Sequence, residues 1–145
     1  MRISASPHHE HLRSLPLFGA ASPRELDRIA GLTTSLQIDA GRVLCAEGAV
    51  GREFFVVESG EAAVSVDDKP VTVLGPGSFF GEIALLGHEL RTATVTALRP
   101  MTVLVLTPGE FHELVELSPT VRQQLEAARD ARKTETAQVR TATAA

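Results

Sequence analysis

Apolar and polar positions change period along the chain, and each change marks a change of element. Between residues 12 and 33 the spacing is helical, with Leu26, Ile29 and Ala30 on one face behind the start Ser22-Pro23-Arg24-Glu25. That start joins a capping serine, a proline at the first helical position and a glutamate three residues after the cap. Gly31 closes the segment, and Phe18 is expected to anchor a turn between two short helices. From Thr34 to Thr107 the pattern becomes short β-branched and apolar runs at 34–38, 42–46, 53–58, 61–66, 70–74, 93–98 and 101–107. Glycines at 41, 48, 51, 60, 75, 77 and 81 punctuate them, which predicts an antiparallel sandwich or barrel. Residues Ala62 to Val66 alternate between faces, and Asp67-Asp68-Lys69-Pro70 reads as a hairpin turn. Met101 to Leu106 is apolar nearly throughout, as in a strand buried on both sides. After Pro108 the helical period returns, with Phe111, Leu114 and Val115 on one face. Ser118-Pro119 then opens a last helix whose stripe, Val121, Leu125 and Ala128, runs to about Lys133.

The predicted class is therefore mainly β with flanking helices, an antiparallel β-roll of jelly-roll-like barrel type. Residues 1–11, polar and carrying His8, His9 and His11, read as a flexible arm. Residues 12–133 form the domain, with the β-roll at about 34–107 and C-terminal helices at 109–133; residues 134–145 read as a frayed tail.

Composition narrows the picture modestly. One domain's worth of chain, 145 residues with 43% hydrophobic and 22% charged residues, can bury a core without staples. There is no Trp or Tyr and there are six Phe, so that core is aliphatic. A net charge of −4 excludes a non-specific nucleic-acid binder, which needs a basic face against phosphates. No apolar run reaches the roughly 20 residues of a membrane span, and the first residues lack a signal peptide's apolar stretch. A lone Cys45 makes no internal disulfide, so a cytoplasmic location is expected and Cys45 reads as an inert buried thiol.

One segment interrupts the strands. Gly81-Glu82-Ile83-Ala84-Leu85-Leu86-Gly87 is a short run of helix formers between glycines, predicted as a lone short helix. Gly81 lets backbone approach a ligand closely, and the helix start offers unpaired N–H groups to an anion. Arg91 returns nine positions after Glu82 and carries a planar fork suited to a phosphate. Glu82 supplies an acceptor for a sugar hydroxyl. Together these groups describe a site for a sugar phosphate.

Phe80-Gly81-Glu82-Ile83-Ala84-Leu85 and Arg91-Thr92-Ala93-Thr94-Val95 resemble the phosphate-binding cassette of the cyclic nucleotide-binding domain family. Gly41, Gly48, Gly51, Phe54-Phe55-Val56-Val57, Gly60, Gly75-Pro76-Gly77 and Leu15-Pro16-Leu17-Phe18 extend the likeness over about residues 15–117. The resemblance implies that Arg91 pairs with the cyclic phosphate and that Gly81, Ile83 and Ala84 donate backbone N–H groups to it. It implies Glu82 on the ribose 2′-hydroxyl, Thr92 near phosphate or base, and Val64, Val71 and Leu74 along the sugar and base pocket. A threonine after the arginine is typical of kinase domains that prefer cGMP, whereas bacterial members with Thr or Ser there commonly bind cAMP. The expected ligand is cAMP, with cGMP open. Arginine and alanine richness fits a GC-rich genome and a bacterial source.

The family usually joins this domain to an output. The effector is accordingly expected either in trans or as an output domain outside this sequence, and a homodimer through the 119–133 helix stays open. The alternative reading is a ligand-free protein-interaction module with the same fold. An enzyme on a similar barrel, such as a cupin, would need inward histidines as metal ligands; His8, His9, His11, His88 and His112 all fall outside the predicted strands. Neither catalytic residues, a metal nor a cofactor is expected.

Overall fold

The structure, a computed structural model, describes residues 2–3 and 9–144, with side chains from 10 to 142. In chain order the elements are β1 (Arg2–Ile3), α1 (His9–Ser14), a 3-10 turn (Pro16–Phe18), α2 (Pro23–Leu32), β2 (Thr34–Ile38), β3 (Val43–Cys45) and β4 (Phe54–Ser59). They continue with β5 (Ala62–Val66), β6 (Lys69–Leu74), β7 (Phe79–Phe80), α3 (Glu82–Gly87), β8 (Thr94–Ala97), β9 (Met101–Leu106), α4 (Pro108–Leu117) and α5 (Pro119–Ala144). The strands form two antiparallel sheets, ordered β1-β2-β9-β4-β7 and β3-β8-β5-β6.

Both helix starts with an S/T-P-x-E pattern carry a reciprocal capping box. Ser22 accepts from the Glu25 N–H and Glu25 bonds back to Ser22; Thr107 and Glu110 do the same at α4. With Thr107 as its cap, α4 starts at Pro108, one residue before the expected 109. The Asp67-Asp68 turn is of the left-handed hairpin kind, with φ of 52° and 62°.

The near-continuous apolar strands β4 and β9 lie at the centre of the first sheet because each serves two cores. Phe54, Val56, Leu104 and Leu106 face outward into a cluster with Leu12, Phe18, Leu26, Ile29, Phe111, Leu114 and Leu125 of the helices. Phe55, Val57, Val103 and Val105 face inward and meet Ile38, Cys45, Ala62, Leu74, Phe80, Val95 and Met101 inside the roll. The period of two places successive residues in different cores. The aliphatic composition is completed by a few rings at the seam: Phe54 contacts Phe111 at 4.9 Å and Phe79 at 5.8 Å between centroids.

Three local expectations change. Residues expected as a loose arm include Arg2–Ile3, paired with Gln37 and Leu36, and the helix from His9, whose His11 ring bonds the Glu58 carboxylate; residues 4–8, His8 among them, and the His9 side chain lie outside the described residues. Strand β7 emerges only because Phe79 and Phe80 pair with Val56 and Phe55. The last helix continues from Lys133 to Ala144 instead of ending in a frayed tail. No Gly or Pro interrupts 120–144, and Arg140 is anchored to the roll.

Candidate functional site

The site lies where β7, α3 and β8 meet the inner face of the second sheet, under α5. Gly81 stands between β7 and α3 with φ +97°, a left-handed conformation that glycine adopts freely. A Cβ there would meet the Glu53 carbonyl oxygen at 2.7 Å and Arg91 Nη1 at 2.9 Å. The glycine therefore serves both the turn and the close packing of Arg91.

Arg91 is 7% exposed. Its Nη2 donates to the Glu53 carbonyl at 2.8 Å and its Nη1 to the Gly81 carbonyl at 3.3 Å. Among the described residues it forms no ion pair. The 46–53 loop wraps it: Gly48 N–H donates to the Arg91 carbonyl, and Arg91 N–H donates to the Ala49 carbonyl, both at 2.8 Å. Gly51 lies flat against the guanidinium, where a Cβ would stand 2.9 Å from Cζ and 2.6 Å from the Ala84 Cβ. The sequence reading treats Gly51 as a turn former; in the structure it is a seat for Arg91.

Glu82 is 1% exposed, at the start of α3. Its Oε1 accepts from Arg132 Nη1 of α5 at 2.8 Å. Its Oε2 is buried with no hydrogen-bond partner among the described residues. A buried carboxylate oxygen without a donor is costly unless a ligand supplies one.

All nine residues expected at the site, Val64, Val71, Leu74, Gly81, Glu82, Ile83, Ala84, Arg91 and Thr92, line one interior cavity of about 90 Å³. The walls are apolar toward β5 and β6 and polar toward α3 and Arg91. Cys45 also lines it, and burial pushes its thiol up to about 11, with Arg91 opposing. The inert reading of Cys45 agrees with that environment.

Sequence reasoning missed the fourth wall. Arg132, Glu135 and Thr136 of α5 close the cavity. Arg132 also lies over the Phe79 ring, 5.1 Å from its centroid. The only signal for this wall was the unbroken run of helix-compatible residues beyond Lys133. Thr94 Oγ1 accepts the Glu47 N–H at 3.1 Å and so fastens the loop that wraps Arg91. His88, a left-handed residue capping α3, is exposed and away from the cavity.

A two-sheet antiparallel roll that buries a guanidinium without an ion pair among the described residues, beside a short helix whose first carboxylate keeps one oxygen unbonded, has the features of a binding domain for a small hydroxylated anion. Residues 35–118 match the family model described as the cyclic nucleotide-binding domain, and the chain belongs to that family. A cyclic nucleotide-gated potassium channel of Mesorhizobium japonicum is 39% identical over 111 residues, 76% of this chain and 30% of the channel. The structure of cAMP-bound PfPKA-R superposes with a TM-score of 0.83 at 26% identity, covering 91% of this chain and 46% of that one. The Thermus thermophilus catabolite activator protein superposes with a TM-score of 0.71 at 26% identity, covering 88% and 62%. The chain thus spans about a third of the channel relative's length. Among the described residues no helix is long and apolar enough to cross a membrane.

Proposed function

We propose that this chain is a non-catalytic receiver for a cyclic nucleotide, with cAMP the first ligand and cGMP the alternative. The observation that carries the reading is Arg91, buried and held by two carbonyls with no carboxylate partner among the described residues. A buried cation left uncompensated costs several kcal/mol, so the site is built for an anion. The phosphate takes Arg91 and the N–H groups of Gly81, Ile83 and Ala84. The ribose 2′-hydroxyl donates to the free Oε2 of Glu82. Val64, Val71 and Leu74 line the sugar and base, and Thr92 lies beside the phosphate or base. Thr136 and Arg132 of α5 cover the opening, and movement of α4 and α5 is the outgoing signal, received by an effector in trans or by a further segment of the same protein.

Calorimetric titration with cAMP and cGMP tests the reading. Arg91→Ala is expected to weaken binding by ~2–5 kcal/mol, as for truncating one member of a buried charge pair. Equal affinity in the two proteins rejects the assignment. Absence of binding of either nucleotide at millimolar concentration turns the reading toward an interaction module. AMP serves as the control, expected to stabilise the protein much less than the cyclic phosphate in a thermal shift.

A further inference from the structure

Glu47 joins four parts of the molecule that surround the mouth of the cavity. Its Oε1 accepts the Asp67 N–H at 2.9 Å, at the tip of the β5–β6 hairpin. Its Oε2 accepts from Arg140 Nη2 at 3.0 Å, one turn from the end of α5. Its own N–H is the one held by Thr94 Oγ1. Arg140 also donates to the carbonyl of Thr92, next to Arg91. One and two residues beyond Glu47, Gly48 and Ala49 exchange backbone bonds with Arg91. Burial acts to raise the Glu47 carboxyl, but the Asp67 N–H and Arg140 outweigh it and hold it below the usual carboxylate range.

The cavity beneath α5 is about 90 Å³, against the ~300 Å³ or more of ordinary small-molecule sites. A nucleotide therefore enters and leaves only when α5 lifts. Three basic residues hold that helix down, each on an acid from a different segment around the mouth: Arg132 on Glu82, Lys133 on Glu89 and Arg140 on Glu47. The Arg140 pair is the one farthest along α5 from its start at Pro119.

We propose that Glu47 and Arg140 form a latch on α5 that sets how long a nucleotide stays in the pocket. The proposal rests on the cyclic nucleotide reading above. Glu47 is a positioning residue: it lines no part of the cavity and acts through Arg140 and through the loop that wraps Arg91. The pair is formed in the structure and has to break each time α5 lifts, so its loss speeds admission and release of the ligand alike.

The test is stopped-flow displacement of a fluorescent cAMP analogue from the whole chain. Glu47→Gln and Arg140→Gln are each expected to speed both release and association about three- to fivefold, the range of a solvent-accessible ion pair. The double variant releases no faster than either single one, since both break the same pair. Arg140→Lys keeps the charge and stays within about twofold of wild type. Added salt speeds release from wild type more than from the Gln variants. Wild-type release rates in both single variants, or additive effects in the double variant, overturn the latch. Failure of the wild-type protein to bind any cyclic nucleotide overturns the functional reading and the latch together; binding with unaltered release overturns the latch alone.

Discussion

Arg132 and Glu82, separated by fifty positions in the chain, meet at 2.8 Å, so the lid helix is paired directly with the carboxylate assigned to the ligand's ribose. One carboxylate oxygen is given to α5 and the other, Oε2, is left for the cavity. On the proposed reading, the side chain that pairs with α5 is also the one that receives the ligand's ribose.

Removing Arg132 leaves Glu82 buried without a cation. Arg132→Ala is expected to lower the stability of the ligand-free protein by about 1–3 kcal/mol in denaturant unfolding. That is less than the full cost of breaking a buried pair, because the arginine is 31% exposed. Unchanged unfolding midpoints would show that the pair carries no stability.

Two glycines with opposite surroundings give opposite signs. Gly51→Ala drives a methyl into Ala84 and Arg91, and overpacking of this kind costs roughly 1–3 kcal/mol. Nucleotide affinity falls with it, because the guanidinium is displaced. Gly31→Ala, inside α2 with open space around the new Cβ, is expected to stabilise by roughly 0.5–1 kcal/mol. Thermal unfolding of both variants checks the pair; a stabilising Gly51→Ala would refute the seat described for Arg91.

Cys45 makes a prediction with a definite pH window. Its pKa rises from an ordinary 9.0 to about 11 in the folded protein, chiefly through burial. The native state thus keeps a proton that the unfolded chain loses first. The contribution is fully present below pH 9, and stability is lost as pH rises toward 11, by roughly 2–3 kcal/mol in total at ~1.4 kcal/mol per unit. Cys45→Ala should flatten this alkaline slope, and wild-type thiol should resist alkylation at pH 8 until the protein is unfolded. A slope that persists unchanged in Cys45→Ala would sink the prediction.

Much of the site was legible because it is local. Gly81, Glu82 and the helix that follows lie in one short run, Arg91 returns after a single loop, and the resemblance of both stretches to the family's cassette implied that they belong together. The double-sided burial of Met101–Leu106 was also readable, since a strand between two cores has no polar face. The lid was not readable in this way. Residues 134–144 are rich in Thr and Ala with no strong apolar stripe, so the sequence does not show what their helix packs on, and pairs such as Arg140–Glu47 seat it. Gly51 gave no sign of its role either, because a glycine's contacts are made by what packs against the missing side chain.

The sequence by itself determined the antiparallel roll and the capped helices, because period, capping chemistry and turn residues act over a few neighbouring positions, and its motif marked residues 80–95 as the candidate site. The tertiary structure alone decided that Arg91 is buried without a carboxylate partner among the described residues, that Gly51 and the 46–53 loop hold it, and that α5 covers the cavity through Arg132 and Arg140. Those are contacts across tens of residues, settled by packing and desolvation, which no local pattern encodes.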